Sequence, residues 1–201
     1  MASPYLDWRL TSERYLRQFH VIIIKLRSMS KIIVYASRYG STKRYADKLS
    51  ELTGVEAVDY SKVNDISAYD KVIYMGSILA GTVTGLKKIV SKMKAGQELI
   101  IVTVGMLDPK DPETVTGLRS NIKQQIPAEF YDESRIFHLH GCIDYPNLNL
   151  SHRMLMSMMR SMASKKPESE LDAVSRTVLA TYGQRIDNVD LSALDVIVPL
   201  V

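Results

Sequence analysis

Residues 31–42 read KIIVYASRYGST. The apolar run Ile32 to Ala36 predicts a buried strand, and an amphipathic segment begins at Lys43. A hydroxyl-rich turn between a strand and a helix suits phosphate, because the first N–H groups of a helix lack partners and its dipole is positive there. The turn adds hydroxyl donors, one positive charge and a glycine. We therefore predict a phosphate-binding loop formed by Ser37, Arg38, Tyr39, Gly40, Ser41 and Thr42.

Two common phosphate loops are excluded here. The turn lacks the Gly-Lys-Ser/Thr ending of a nucleoside-triphosphate P-loop, and it lacks the G-x-G-x-x-G of a dinucleotide fingerprint. A loop that donates hydroxyl hydrogen bonds suits a monophosphate. The alternative from the residues alone is a serine-rich helix N-cap without a ligand.

The order Ser-Arg-Tyr-Gly-Ser-Thr after a first strand resembles the FMN-phosphate loop of flavodoxins, usually T/S-x-T-G-x-T. The sequence departs from that pattern at Tyr39, where the family commonly has threonine. The resemblance implies FMN as the cofactor. If Tyr39 blocked the phosphate site, the chain would instead be an interaction module without flavin.

Composition limits the class of protein. The chain has 201 residues, 46% hydrophobic and 24% charged, which predicts one globular domain with a sizeable core. A single cysteine, Cys142, excludes an internal disulfide and fits a reducing cytoplasm. Of the net charge of +4, residues 1–28 carry five basic and two acidic side chains, so the remainder is nearly neutral. This charge balance predicts no nucleic-acid partner. The single cysteine predicts a cytoplasmic location.

Strands and helices alternate from Lys31 onward, which predicts a doubly wound α/β fold: five parallel strands with helices on both faces. The expected strands are residues 31–36, 55–60, 71–75, 98–104 and 135–140, and the expected helices are 43–53, 84–95 and 111–125. Residues 1–29 do not share this pattern, and we predict a poorly ordered N-terminal extension before a domain of residues 30–201. A phosphoacceptor receiver domain, which has the same fold, is excluded because the ends of strands one and three lack acidic residues.

In such sheets ligands bind beyond the carboxyl ends of the strands. Three strand ends carry loops rich in glycine and small polar residues, at 37–42, 76–82 and 105–109. In flavodoxins the corresponding loops hold the phosphate and the two sides of the isoalloxazine ring. The resemblance therefore implies ring contacts from Gly76, Ser77, Ile78, Leu79, Ala80, Gly81 and Thr82, and from Val104, Gly105, Met106, Leu107 and Asp108.

Several residues in or near these loops have alternative interpretations. Flavodoxins usually stack aromatic side chains on the ring from the second and third of these loops, whereas here the candidates are Ile78, Leu79, Met106 and Leu107, with no aromatic residue. Asp108 could lie near the polar edge of the ring, but we favour a helix cap. His138 and His140 share a face of one strand, and a packed pair is favoured over a proton relay or a metal site. Cys142 is expected to be a buried small side chain. No catalytic residue and no metal ligand set is predicted.

The chain contains a helical insertion at about 146–166 that a minimal flavodoxin lacks. On a helix from Ser151 to Ser164, one apolar stripe is expected, flanked by arginine and lysine; its members are Met154, Leu155, Met158, Met159 and Met162. Methionine makes adaptable binding surfaces, and a basic amphipathic helix can lie on an anionic membrane. The alternative is a stripe packed on the core.

A fifth strand followed by Ile143-Asp144-Tyr145-Pro146 and a methionine-rich basic helix resembles the menaquinone-dependent protoporphyrinogen oxidase branch of the flavodoxins. That resemblance implies a porphyrinogen substrate, a quinone or other redox partner, and peripheral contact of residues 151–166 with the inner face of the membrane. The alternative is a non-enzymatic electron carrier of the flavodoxin type. The tail is expected to form packing helices at 168–182 and 190–198.

Overall fold

The computed structural model describes residues 29–79 and 81–201. The predicted extension at 1–29 lies almost wholly outside these residues and stays a prediction. The strands are β1 (Lys31–Ala36), β2 (Ala57–Asp59), β3 (Lys71–Leu79), β4 (Thr82–Val83), β5 (Glu98–Gly105), β6 (Ile136–His140), β7 (Cys142–Asp144) and β8 (Arg185–Asp187). The α-helices are α1 (Ser41–Thr53), α2 (Leu86–Val90), α3 (Pro112–Lys123), α4 (Leu150–Ala163) and α5 (Ala173–Thr181).

Five strands form a parallel sheet in the order β2-β1-β3-β5-β6. One core cluster includes Leu86 of α2 and Ile122 of α3, and a second, on the other face, includes Tyr45 and Leu49 of α1. The structure therefore confirms the predicted doubly wound sheet. Within the described residues, β4 adds a short antiparallel pairing to β3, and β7 and β8 form a separate two-stranded sheet.

The third strand is the largest departure from the predicted elements. It was expected to end at Met75 and to be followed by a loop, but β3 continues to Leu79 and turns back into β4. Ile78 pairs with Val83 and Leu79 with Thr82 in this hairpin. Most of the predicted loop at 76–82 is therefore strand. The last residue of β1 pairs with Gly76, and β3 extends three residues beyond that point, to Leu79.

Several helices are shorter than their patterns predicted. The expected helix at 84–95 is only α2, which begins after Gly85 (φ +75°) and passes into turns after Val90. The expected helix at 168–182 begins at Ala173, where the Asp172 side chain accepts a hydrogen bond from the Ser175 N–H. The last expected helix is two 3-10 turns, Leu191–Leu194 and Val198–Leu200, and the second contains Pro199.

A buried tyrosine fixes the position of α1. The Tyr45 hydroxyl donates to the carbonyl of His140 at 2.8 Å and accepts from the N–H of Asp190 at 2.9 Å. Burial, the largest cause, raises the pKa of Tyr45. Because α1 begins at the predicted phosphate loop, this hydroxyl also fixes that loop relative to the end of β6.

Gly85 and Gly54 form a matched pair for a test of the packing before α2. Both have positive φ, near +75° and +72°, but a Cβ at Gly85 would lie 2.5 Å from Tyr60 Cδ2 and 2.6 Å from Tyr74 Oη. A Cβ at Gly54 would meet no atom within 4 Å. We predict that Gly54→Ala lowers the free energy of unfolding by about 1 kcal/mol, and that Gly85→Ala lowers it by about 3 kcal/mol because overpacking is added. Urea unfolding measures both, and equal losses would contradict this packing.

Candidate functional site

The predicted phosphate loop joins β1 to α1, and its last two residues, Ser41 and Thr42, are the first two residues of that helix. Gly40 precedes α1 with φ +94°, and no side chain of the described residues caps the helix. The Thr42 side chain is fully buried, and its Oγ1 has no hydrogen-bond partner within the described part of the chain. Free N–H groups and an unpaired buried hydroxyl are what a phosphate monoester requires, so these residues fit that group.

The second predicted loop is the β3–β4 hairpin. The Ser77 carbonyl accepts from Thr84 N at 2.9 Å, and the Ser77 and Thr84 hydroxyls lie 3.2 Å apart. Gln125, two residues beyond the end of α3, accepts a hydrogen bond at Oε1 from Val83 N at 3.1 Å. A Cβ at Gly81 (φ +76°) would lie 2.9 Å from the Asn121 side chain, so this glycine permits close packing of the hairpin on α3.

The third predicted loop follows β5, and it directly contacts the hairpin. A Cβ on Gly105 would lie 3.1 Å from Ile78, and the Gly105 carbonyl accepts from Gly141 N at 2.6 Å. The favoured role of Asp108 as the cap of α3 is wrong. Asp111 is that cap, accepting from Glu113 N and Thr114 N, whereas Asp108 accepts from Lys110 N.

The insertion and the tail form a helical wall beside these loops. Helices α4 and α5 pack on each other, and Arg160 of α4 lies 4.5 Å above the Tyr182 ring. The salt bridge Arg176–Glu113 (3.0 Å) joins α5 to α3. The β7–β8 pairing lies at the base of the insertion, and Asp187 of β8 forms a 2.6 Å salt bridge with Arg44 of α1.

A cavity of about 280 Å³ lies between the three loops and this wall. Its volume is close to the lower end of small-molecule sites, about 300–1,000 Å³. The structure brings eleven of the predicted residues to it: Arg38, Tyr39, Ser41, Ser77, Ile78, Leu79, Gly81, Val104, Gly105, Met106 and Leu107.

Of the other predicted residues, those that the structure describes do not line this cavity. Gly40 lines a neighbouring cleft with Lys43 and Arg44. Ala80 lies outside the described residues. The cavity lining lacks Ser37, Thr42, Gly76, Thr82 and Asp108.

Sequence reasoning missed the contribution of α3 and α5, and on α4 it singled out only Leu155 and Met159 of the residues that line the cavity. Helix α3 supplies Thr114, Gly117, Leu118 and Asn121, and α5 supplies Val174, Thr177, Val178 and Thr181. From the segment after β6 come Gly141, Cys142, Ile143 and Leu148, and from α4 come His152, Leu155, Met156 and Met159. The 3–4 spacing of Val174, Thr177, Val178 and Thr181 was the available signal for α5.

The single apolar stripe expected on α4 is wrong. Leu155 and Met159 line the cavity, whereas Met154, Met158 and Met162 are exposed, at 70%, 55% and 60%. Apolar residues occupy two sides of this helix, so their spacing alone could not show which side faces inward. The side of α4 with Leu155 and Met159 packs inward, and the side with Met154, Met158 and Met162 is surface, so each expected alternative applies to one side.

Three other residues singled out in the sequence have clear surroundings. The His138 ring is hydrogen-bonded to Thr103 Oγ1 at 2.7 Å, and burial, followed by the Arg119 charge, lowers the pKa of His138 to about 4. His140 Nε2 lies 3.7 Å from Asp108. Cys142 is half-buried rather than buried, and its thiol contacts the Tyr39 carbonyl at 3.7 Å. Across residues 29–79 and 81–201, no group of three or more His, Cys, Asp or Glu could hold a metal ion.

The sheet order and the three loops at one rim define a flavodoxin-like α/β protein. The family model described as the flavodoxin domain matches residues 32–170, which cover more than half of the chain. The chain belongs to the flavodoxin domain family. This membership supports FMN as the cofactor, as the loop at 37–42 predicted.

Solved structures with a similar fold share little sequence with this chain. A flavodoxin from the domain Archaea is 14% identical over 55% of this chain and 83% of its own, with a TM-score of 0.38. A flavodoxin mutant from Fusobacterium nucleatum, bound to flavin mononucleotide, is 14% identical over 60% and 74%, with a TM-score of 0.38. Rubredoxin oxygen:oxidoreductase from Desulfovibrio gigas is 11% identical over 78% of this chain but only 37% of its own, with a TM-score of 0.39. No curated protein sequence matches this chain.

Among the helices that the structure describes, none is both long enough and apolar enough to cross a membrane.

Proposed function

We propose that the protein binds FMN at this rim and is a protoporphyrinogen oxidase-like dehydrogenase that uses a quinone as acceptor. The loop at 37–42 holds the phosphate, and the apolar cavity between the β3–β4 hairpin and α4 holds the ring. When bound, FMN supplies electron transfer in steps of one or two electrons. The side chains of the chain bind and orient the ring and exclude water from it.

The observation that carries FMN binding is the unpaired hydroxyl of Thr42. A buried polar group without a partner costs about 1–3 kcal/mol, and nothing in the described residues offsets that cost. A phosphate oxygen beside the first turn of α1 would supply the missing acceptor and interact favourably with the helix dipole.

The composition of the cavity supports the dehydrogenase role. Ile78, Leu79 and Met106 line it from the β3–β4 hairpin and the loop after β5, and Leu155, Met156 and Met159 line it from α4. No aromatic side chain of the hairpin or of the loop after β5 is available to stack on a ring there. Because methionine adapts its shape, such walls can admit a second planar molecule, and a reduced porphyrinogen is one.

The outer side of α4 supports contact with a membrane that contains the quinone. Leu150, Met154, Met158 and Met162 are exposed in sequence steps of four, so they form one apolar strip. Lys165 and Lys166 are exposed just beyond the end of the helix. An apolar strip with adjacent positive charge fits the interface of an anionic bilayer.

A second candidate function is the non-enzymatic electron carrier. The lining of the cavity, as far as the structure describes it, contains no carboxylate and no lysine. Porphyrinogen oxidation releases protons, and a site without a carboxylate base suits a protein that exchanges only electrons.

We predict that Thr42→Val weakens FMN binding roughly tenfold to hundredfold, because a hydrogen bond to a charged group contributes about 1.5–3 kcal/mol. The matched control is Thr53→Val, at the opposite end of α1, where the hydroxyl already donates to the Leu49 carbonyl. Quenching of FMN fluorescence measures the Kd of both variants and of the wild type. Equal Kd values for Thr42→Val and the wild type would contradict a phosphate at this position.

We expect the FMN-loaded protein to oxidise a reduced porphyrinogen when a menaquinone analogue is present. Met156→Trp should lower that rate at least tenfold, because the larger side chain fills the cavity, whereas Met158→Trp, on the exposed side of α4, should leave it unchanged. FMN content is measured in every sample. A wild type that holds FMN but oxidises no porphyrinogen would instead identify the electron carrier.

The triple substitution of Met154, Met158 and Met162 by serine should abolish sedimentation of the protein with vesicles that contain anionic phosphatidylglycerol. The strip loses most of its apolar area, while the cavity side of α4 is unchanged. Leu52→Ser, which changes an exposed apolar residue of α1, is the control. Binding that survives the triple substitution would exclude this strip as the membrane contact.

A further inference from the structure

The first turn of α4 contacts the predicted phosphate loop through one side chain. His152 is only 8% exposed, and its ring lies between Arg38 and Tyr39. Its Nδ1 is hydrogen-bonded to the Tyr39 hydroxyl, and its Nε2 lies 3.2 Å from Arg38 Nη1. The Tyr39 and His152 rings meet edge to face, with centroids 5.7 Å apart.

The direction of these hydrogen bonds follows from the chemistry of arginine. A guanidinium group only donates, so Nε2 of His152 must accept from Arg38. The imidazole is therefore neutral, and its Nδ1–H donates to the Tyr39 hydroxyl oxygen. Burial, followed by the Arg38 charge, lowers the pKa of His152, which favours this neutral form.

This arrangement orders two side chains that are otherwise exposed. Arg38 and Tyr39 lie in the turn immediately before Gly40 and α1. A free arginine loses much rotamer entropy when it is fixed against a ligand. Because His152 already holds the guanidinium, Arg38 loses less rotamer entropy when the loop binds an anion. Arg38 keeps further N–H donors for the anion.

We propose that His152 is a positioning residue for the FMN phosphate, which it serves by holding Arg38 and Tyr39 in place. The proposal rests on the proposed function, because it assumes that FMN binds at this loop. It assigns to α4 a task beyond lining the cavity and contacting a membrane, since α4 carries the residue that orders the phosphate loop. The coupling is reciprocal: a bound phosphate strengthens the attachment of α4 by the same factor by which that attachment strengthens phosphate binding.

Riboflavin, which has the same ring as FMN but no phosphate, distinguishes this role from general packing. The Kd of FMN and of riboflavin is measured by fluorescence quenching for the wild type, His152→Phe and His152→Gln. We expect His152→Phe to weaken FMN roughly tenfold and to leave riboflavin unchanged. His152→Gln should restore most of the FMN affinity, because an amide can accept from Arg38 and donate to Tyr39.

Two further variants complete the test. Ser157→Ala, at an exposed position of the same helix, should change neither Kd. Tyr39→Phe deletes only the hydroxyl that His152 contacts, so it should give a smaller loss for FMN alone, and it replaces His152→Phe if that variant fails to fold.

The outcomes separate the two proposals. Equal losses for FMN and riboflavin, or no loss for either, would overturn the positioning role while FMN binding by the wild type still stands. A wild type that binds neither flavin would overturn the proposed function, and the positioning role with it.

Discussion

The parallel pairing of β1, β3 and β5 is the constraint on which the site depends. Ala36 is level with Gly76, and Gly76 is level with Thr103, so the three strands reach the same rim within a few residues of each other. A shift of register in either ladder would separate the loops that follow these strands. The hydroxyl of Tyr45 adds a second restraint, because it joins α1 to the end of β6 and to the tail. The relative positions of the three loops therefore depend on the register of β1, β3 and β5.

The insertion changes what a flavodoxin-like rim can do. Helices α4 and α5 pack beside the loops, so that a cavity forms at the edge of the sheet. Two salt bridges, Arg176–Glu113 and Arg44–Asp187, connect the insertion and the tail to α3 and α1. The hairpin, the loop after β5 and the inner side of α4 contribute mainly aliphatic side chains and methionine, whereas Tyr39 and His152 are aromatic members of the lining. The same helix α4 presents apolar side chains to the cavity and to the surface. One side of α4 therefore lines the cavity, and the opposite side offers an exposed apolar surface.

The sequence was sufficient for the sheet, for the family and for the loops after β1 and β5, because buried parallel strands are continuous apolar runs and the phosphate loop is a local pattern. Three features could not be predicted. The Gly76-Ser77 pair indicates a turn, yet β3 continues because β4 pairs with it. The two apolar sides of α4 leave its inward side undetermined. Tyr39 departs from the family pattern, and its contact with His152 joins positions 113 residues apart, which no local pattern contains.

The β3–β4 hairpin has a consequence for the entropy of ligand binding. A free loop of this length would lose about 1–2 kcal/mol per residue when a ligand fixes its backbone. Here the ladder from Ile78 to Val83, the Thr84–Ser77 hydrogen bond and the amide of Gln125 have already removed much of that freedom. The entropy of ordering this backbone is therefore lost when the protein folds and not when a ligand binds. A planar ligand contacts a preorganised surface, so less of its interaction energy is offset by ordering of the protein.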